Sequence, residues 1–190
     1  MLLLLAAVFI PIGFYHRLRA HTGESIDRWQ EGPVILLGLR LSALCLFAVM
    51  ITWMINPAWL SWSSLPFPLW LRFAGFATSV GGALLWVAAV HSLGKNLTDT
   101  VVTRQDHTLV ISGPYRFMRH PFYTACFIGF FGGILAMANW LFLAPGLLVV
   151  AFLIARTPIE EQKLIDRFGD AYRSYIAHTG KFLPRLPPHK

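Results

Sequence analysis

Charge is scarce in this sequence. Only 13% of its 190 residues are Asp, Glu, Lys or Arg, and 56% are hydrophobic; an ordinary soluble domain carries ~25% charge. Such a chain is not disordered, not a nucleic-acid-binding tail and not a typical soluble enzyme. With a mean hydropathy of +0.57 it reads as an integral membrane protein. Acids are scarcer still, 9 against 16 basic residues for a net charge of +7. In a membrane chain that excess reports topology, and no nucleic-acid partner is expected. Cysteine is nearly absent. Cys45 and Cys126 sit in separate apolar runs, which excludes a disulfide framework and a cysteine-ligated zinc site, and no metal is expected. The sequence also lacks a G-x-G-x-x-G turn after a strand, a P-loop, H-E-x-x-H and G-x-S-x-G. Soluble dinucleotide, nucleoside-triphosphate, zinc-protease and hydrolase sites go with them.

What is present is a series of apolar runs. The first, Met1 to Tyr15, is followed rather than preceded by basic residues (His16, Arg17, Arg19), so it is expected to be a short retained span and not a cleaved signal. Pro33 to Ile55, with Arg40 inside it, and Leu69 to Val90, with Arg72 near its start, are the second and third. The run from Pro121 to Ala155 holds no charge at all. As one helix its about 35 residues would extend about 52 Å, well beyond the ~30 Å hydrocarbon core. It must fold back on itself, and Ala138-Asn139-Trp140 is the expected turn. The prediction is an all-α membrane bundle of about five spans with a helical hairpin near its C-terminal end.

Lys and Arg cluster in 16–31, 91–120 and 156–190, whereas Asn56 to Pro68 and the Asn139 turn have none. The positive-inside rule then puts the C-terminal tail in the cytoplasm and the N-terminus outside, with Trp59, Trp62 and Trp70 as an outer interfacial belt. The expected organisation is one domain over 1–190, with three spans in 1–90, a cytoplasmic loop in 91–120, the hairpin in 121–157 and a cytoplasmic tail in 158–190. Chemistry-bearing residues concentrate in the loop and the tail.

In Arg119-His120-Pro121-Phe122-Tyr123, Pro121 suits the first position of a helix. Arg116, Arg119 and His120 add to the positive helix end, so the segment either seats an anion or anchors the helix to headgroups. In Arg156-Thr157-Pro158-Ile159-Glu160, Thr157 and Glu160 have the spacing of a capping box, which predicts a helix starting at Pro158. Arg156 either snorkels or grips a carboxylate, and Glu160 either caps or grips an ammonium. From Pro158 to about His178, Leu164, Ile165, Phe168, Tyr172, Tyr175 and Ile176 share one helical face, which predicts an amphipathic tail helix that packs or lies on the membrane. Gly129 with Gly133, and Gly81-Gly82, predict close helix packing.

These segments, taken in order, resemble the isoprenylcysteine carboxyl methyltransferase family. The resemblance rests on His107-Thr108-Leu109-Val110, Gly113-Pro114-Tyr115, Arg119-His120-Pro121-Phe122-Tyr123, Arg156-x-x-x-Glu160-Glu161 and Phe168-Gly169-x-x-Tyr172-x-x-Tyr175. It covers roughly 91–185, and the short chain looks like a prokaryotic member. It implies S-adenosylmethionine as cofactor, lined by His107, Thr108, Leu109, Val110, Tyr115, His120, Pro121, Phe122 and Tyr123. Glu160 would hold a polar group of the cofactor, such as its ammonium, and Arg156 the substrate carboxylate; these two are the implied catalytic pair. The implied reaction is methyl transfer at the cytoplasmic membrane face to a lipophilic small molecule or lipidated substrate taken from the bilayer. A carboxylate acceptor needs no general base, so positioning supplies the catalysis. A phospholipid amine or small thiol acceptor, an NADPH-dependent sterol-type reductase and a non-catalytic module are the competing readings. Met118 stands where the reductases carry serine.

Overall fold

A computed structural model describes residues 31–94 and 108–185. The expected first span and His107 lie outside the described residues. Among those residues the regular structure is helical: α1 (Pro33–Ile55), α2 (Leu69–Leu93), α3 (Pro121–Met137), α4 (Leu143–Phe168) and α5 (Asp170–His178). α1, α2 and α4 are long and apolar enough to cross a bilayer, and α3 is a shorter apolar helix. Leu41, Leu44, Trp70, Leu84 and Leu148 point outward on these helices. That is expected where the solvent is lipid and backbone groups must be satisfied within each helix.

The hairpin forms where the charge-free run requires it. Ala138 takes a left-handed conformation (φ 50°) and ends α3, donating its N–H to Ile134. Asn139 then locks the turn. Its Oδ1 accepts from Leu141 N at 3.0 Å and its Nδ2 donates to Leu60 O at 3.0 Å. Leu65 N donates to Ala138 O. The 3-10 segment Pro57–Ser63 therefore braces the hairpin tip, and Arg72 Nε donates to Ala136 O, a carbonyl in the last turn of α3, at 3.2 Å.

α2 and α3 approach backbone to backbone. A Cβ on Gly75 would lie 2.6 Å from Ala136 N, one on Gly82 2.7 Å from Gly129 N, and one on Gly132 2.6 Å from Ser79 N. Helices cross this closely in lipid only where small residues allow it. The glycines that matter are therefore Gly75, Gly82 and Gly132. Of the expected set, a Cβ on Gly81 or Gly129 would meet nothing within 4 Å, and one on Gly133 only Met137 Cε at 3.4 Å. α1 packs antiparallel on α4, with Gly38 against the Phe152 ring.

The tail departs from expectation. No helix begins at Pro158; α4 runs through it to Phe168. Proline lacks the N–H that would reach back to residue 154. Thr157 supplies a substitute, donating its buried hydroxyl to Ile154 O at 2.8 Å. Thr157 thus mends a gap within a helix instead of capping the start of one, and Glu160 closes no capping box. The expected single tail helix is also broken. Gly169, at φ 54°, ends α4 and opens α5, because that backbone region favours a residue without Cβ.

Candidate active site

The site lies between the first turn of α3 and the charged third of α4. Continuity of α4 through Pro158 puts Arg156 and Glu160 four residues apart on one helix, hence on the same face. Pro121 sits at the first position of α3, with His120 before it as the N-cap residue. Tyr123 donates its phenolic proton to Glu160 Oε2 at 2.7 Å. The His120 ring stacks on that of Tyr123, centroids 5.3 Å apart and planes 10° off parallel. His120 Nδ1 lies 4.0 Å from Glu160 Oε2. Glu160 keeps 29% of its side chain exposed, and its Oε1 has no hydrogen-bond partner among the described residues.

Glu161, one residue further round the helix, does different work. Its Oε1 accepts from Arg119 Nε at 2.8 Å and meets His120 Nε2 at 3.2 Å, and Lys181 Nζ lies 3.8 Å from Oε2. A carboxylate only accepts, so His120 Nε2 carries the proton in this pair. Arg119 also donates to the carbonyls of Thr179 (2.6 Å) and Ile176 (3.3 Å). It is therefore neither a headgroup anchor nor a free cation for an anion at the helix end; it ties α3 to the tail. The same tie continues through the backbone. Arg119 N and His120 N donate to Gly180 O and Lys181 O, and Thr124 Oγ1 donates to Phe182 O. Phe182 packs against the rings of His120 and Phe127.

Tyr115 is buried in the 3-10 turn Gly113–Arg116. Burial, together with the negative charge of Glu160, holds its phenol well above its ordinary pKa, so it stays protonated. Tyr175 donates to Tyr115 O at 2.7 Å, and burial pushes its own phenol up to about 12. Tyr172 is 2% exposed. The tail aromatics thus close over the site from α5. Of the other expected lining residues, Phe122 faces Trp86 on α2. Thr108, Leu109 and Val110 form the irregular stretch that leads into the 3-10 turn.

Arg156 is buried, and its partner was not foreseen. Nη2 lies 3.3 Å from Glu31 Oε1, with side-chain exposures of 8% and 1%. Its Nε has no hydrogen-bond partner among the described residues. Sequence reasoning passed over Glu31, treating 16–31 only as a basic segment. The available signal is an acid directly before an apolar run, on the face of the membrane assigned to Arg156. The motif alone gives Glu161 no role, and no sequence pattern marks the strap from Thr179 to Arg185.

Residues 75–166 match the model of the isoprenylcysteine carboxyl methyltransferase (ICMT) family. The chain is 33% identical over 126 residues to the protein-S-isoprenylcysteine O-methyltransferase of Homo sapiens, covering 65% of this chain and 44% of that protein. It is 32% identical over 135 residues to the one of Dictyostelium discoideum, covering 67% and 56%. The matched region therefore spans about half the length of these relatives. A solved structure of the eukaryotic intramembrane Ras methyltransferase ICMT superposes with a TM-score of 0.57 at 22% identity, over 98% of this chain and 68% of the other. That likeness shows a shared helical membrane fold, and the chain is an integral, multi-pass membrane protein.

Proposed function

We propose, from the match of residues 75–166 to the isoprenylcysteine carboxyl methyltransferase family model, that this chain acts as a member of that family and transfers a methyl group from S-adenosylmethionine to the carboxylate of a lipophilic, prenylcysteine-like acceptor. One observation carries the reading: Arg156, buried and with no hydrogen-bond partner for its Nε among the described residues, stands one helical turn from Glu160, whose Oε2 is held by Tyr123. A guanidinium suits a carboxylate and a carboxylate suits an ammonium. This donor set fits a zwitterionic sulfonium cofactor beside an anionic acceptor.

When bound, S-adenosylmethionine supplies an electrophilic methyl group. An acceptor oxygen would take that methyl, the sulfur keeping the electron pair of the bond that breaks. Glu160, one oxygen already fixed by Tyr123, would hold the cofactor ammonium. Arg156 would orient the acceptor carboxylate through Nε–H. His120 and Tyr123, stacked on each other, form one wall, and Tyr115 and Tyr172 exclude water from the other side. No residue has to remove a proton, because the acceptor is already ionised. Orientation in a shielded site is the contribution of the protein. The site faces the cytoplasm in the orientation that the Lys and Arg distribution favours, and a hydrophobic acceptor enters from the bilayer.

The test is calorimetric titration of the detergent-purified chain with S-adenosylmethionine and S-adenosylhomocysteine, with NADPH alongside. An assay for methyl ester formation on an S-prenylated N-acetylcysteine follows. Saturable binding of the sulfonium cofactor and ester formation are expected. A folded protein that binds neither nucleoside compound would sink the proposal.

A further inference from the structure

We propose that Glu31 is the resident counter-ion of Arg156 and sets how strongly the site prefers a carboxylate over the ester that replaces it. The inference rests on the reading of Arg156 as the residue that holds the acceptor carboxylate.

Three observations carry it. The pair is buried on both sides, Glu31 to 1% and Arg156 to 8% side-chain exposure. The contact is loose: one oxygen on one nitrogen at 3.3 Å, against about 2.7–2.9 Å for a well-formed charge-assisted bond. And Nε–H of Arg156 has no hydrogen-bond partner among the described residues. Glu31 therefore neutralises the guanidinium from Nη2 and leaves Nε–H for an oxygen of a second carboxylate.

The chemistry gives such an arrangement a purpose. Methylation converts the acceptor from an anion into a neutral ester. Were the acceptor the only counter-ion, each turnover would leave a buried, unpaired cation, which is strongly unfavourable. Arg156 would also hold the substrate carboxylate too firmly, both as a ligand and as a nucleophile. With Glu31 in place, the Arg156–Glu31 pair is neutral before and after transfer. The acceptor then meets the dipoles of the guanidinium more than its full charge. Glu31 acts through Arg156 and touches no reacting atom, so it is a positioning residue.

The experiment measures, on the full chain in detergent, the affinity for S-prenylated N-acetylcysteine and for its methyl ester. Glu31→Gln removes the counter-ion at constant shape. It should tighten binding of the acid on the order of tenfold, as expected for deleting a like charge close by, and leave the ester unchanged. In turnover, KM and kcat should fall together. Glu31→Asp keeps the charge but draws it back by one methylene. It should shift acid binding in the same direction by a smaller factor, so the test survives if the Gln variant does not fold. Unchanged or weaker acid binding in a folded variant overturns the proposal. Parallel loss of acid and ester, the mark of a merely structural role, overturns it as well. The double variant Glu31→Gln/Arg156→Gln, which removes both charges of the pair, separates the two layers. It should bind acid and ester alike, whereas retained preference for the acid would overturn the assignment of Arg156 itself and with it the role of Glu31.

Discussion

Tyr123 donates its phenolic proton to Glu160 across 2.7 Å, joining the first turn of α3 to the charged end of α4. The bond fixes one carboxylate oxygen and leaves the other available. Tyr123→Phe should weaken S-adenosylhomocysteine binding by about tenfold, and Glu160→Gln by up to about a hundredfold, as for one charge-assisted hydrogen bond. Calorimetry reads both. If Glu160→Gln bound the nucleoside as well as the wild type, Glu160 would not be a cofactor ligand.

Arg156 should separate from Glu160 in its kinetic signature. Arg156→Lys keeps the charge that pairs with Glu31 but loses the planar fork. Its kcat/KM toward a carboxylate acceptor should fall about 10- to 100-fold, the scale of a charge-assisted hydrogen bond, while cofactor affinity stays within about twofold. A matching loss in cofactor affinity would contradict the division of roles.

The Thr157 hydroxyl takes the place of the N–H that Pro158 lacks. Thr157→Val should leave Ile154 O unsatisfied in an apolar setting and destabilise the protein by about 1–3 kcal/mol. Restoring the N–H with Thr157→Val/Pro158→Ala should recover most of that. Thermal unfolding in detergent measures the cycle. Additive effects of the two substitutions would rule out the compensation.

The α2–α3 contact predicts a sharp contrast between neighbouring glycines. Gly132→Ala places a methyl 2.6 Å from Ser79 N, whereas Gly129→Ala meets nothing within 4 Å. The first should cost about 1–3 kcal/mol, as overpacking does. The second should be neutral or slightly stabilising, since alanine is the better helix former. Equal unfolding temperatures for the two variants would show that the helices do not cross at Gly132.

Local physics made much of this protein legible in one dimension. The apolar runs marked α1 to α4, because in lipid each span must satisfy its own backbone and show an apolar surface. The charge-free run from Pro121 was too long for one crossing, so the turn near Asn139 followed from bilayer thickness alone. The clustering of His120, Tyr123, Arg156 and Glu160 was indicated by motif order. Three features could be decided only in three dimensions. Whether Pro158 starts a helix or interrupts one depends on whether the freed Ile154 carbonyl finds a donor, and Thr157 serves a cap or a repair equally well in sequence. Which glycines touch depends on the crossing point of α2 and α3, which no spacing within one helix encodes. Finally, Glu31 and Arg156 stand 125 positions apart (156 − 31) yet form one buried pair. A charge in sequence carries no sign of its partner; it is the antiparallel packing of α1 on α4 that brings these two out of water together.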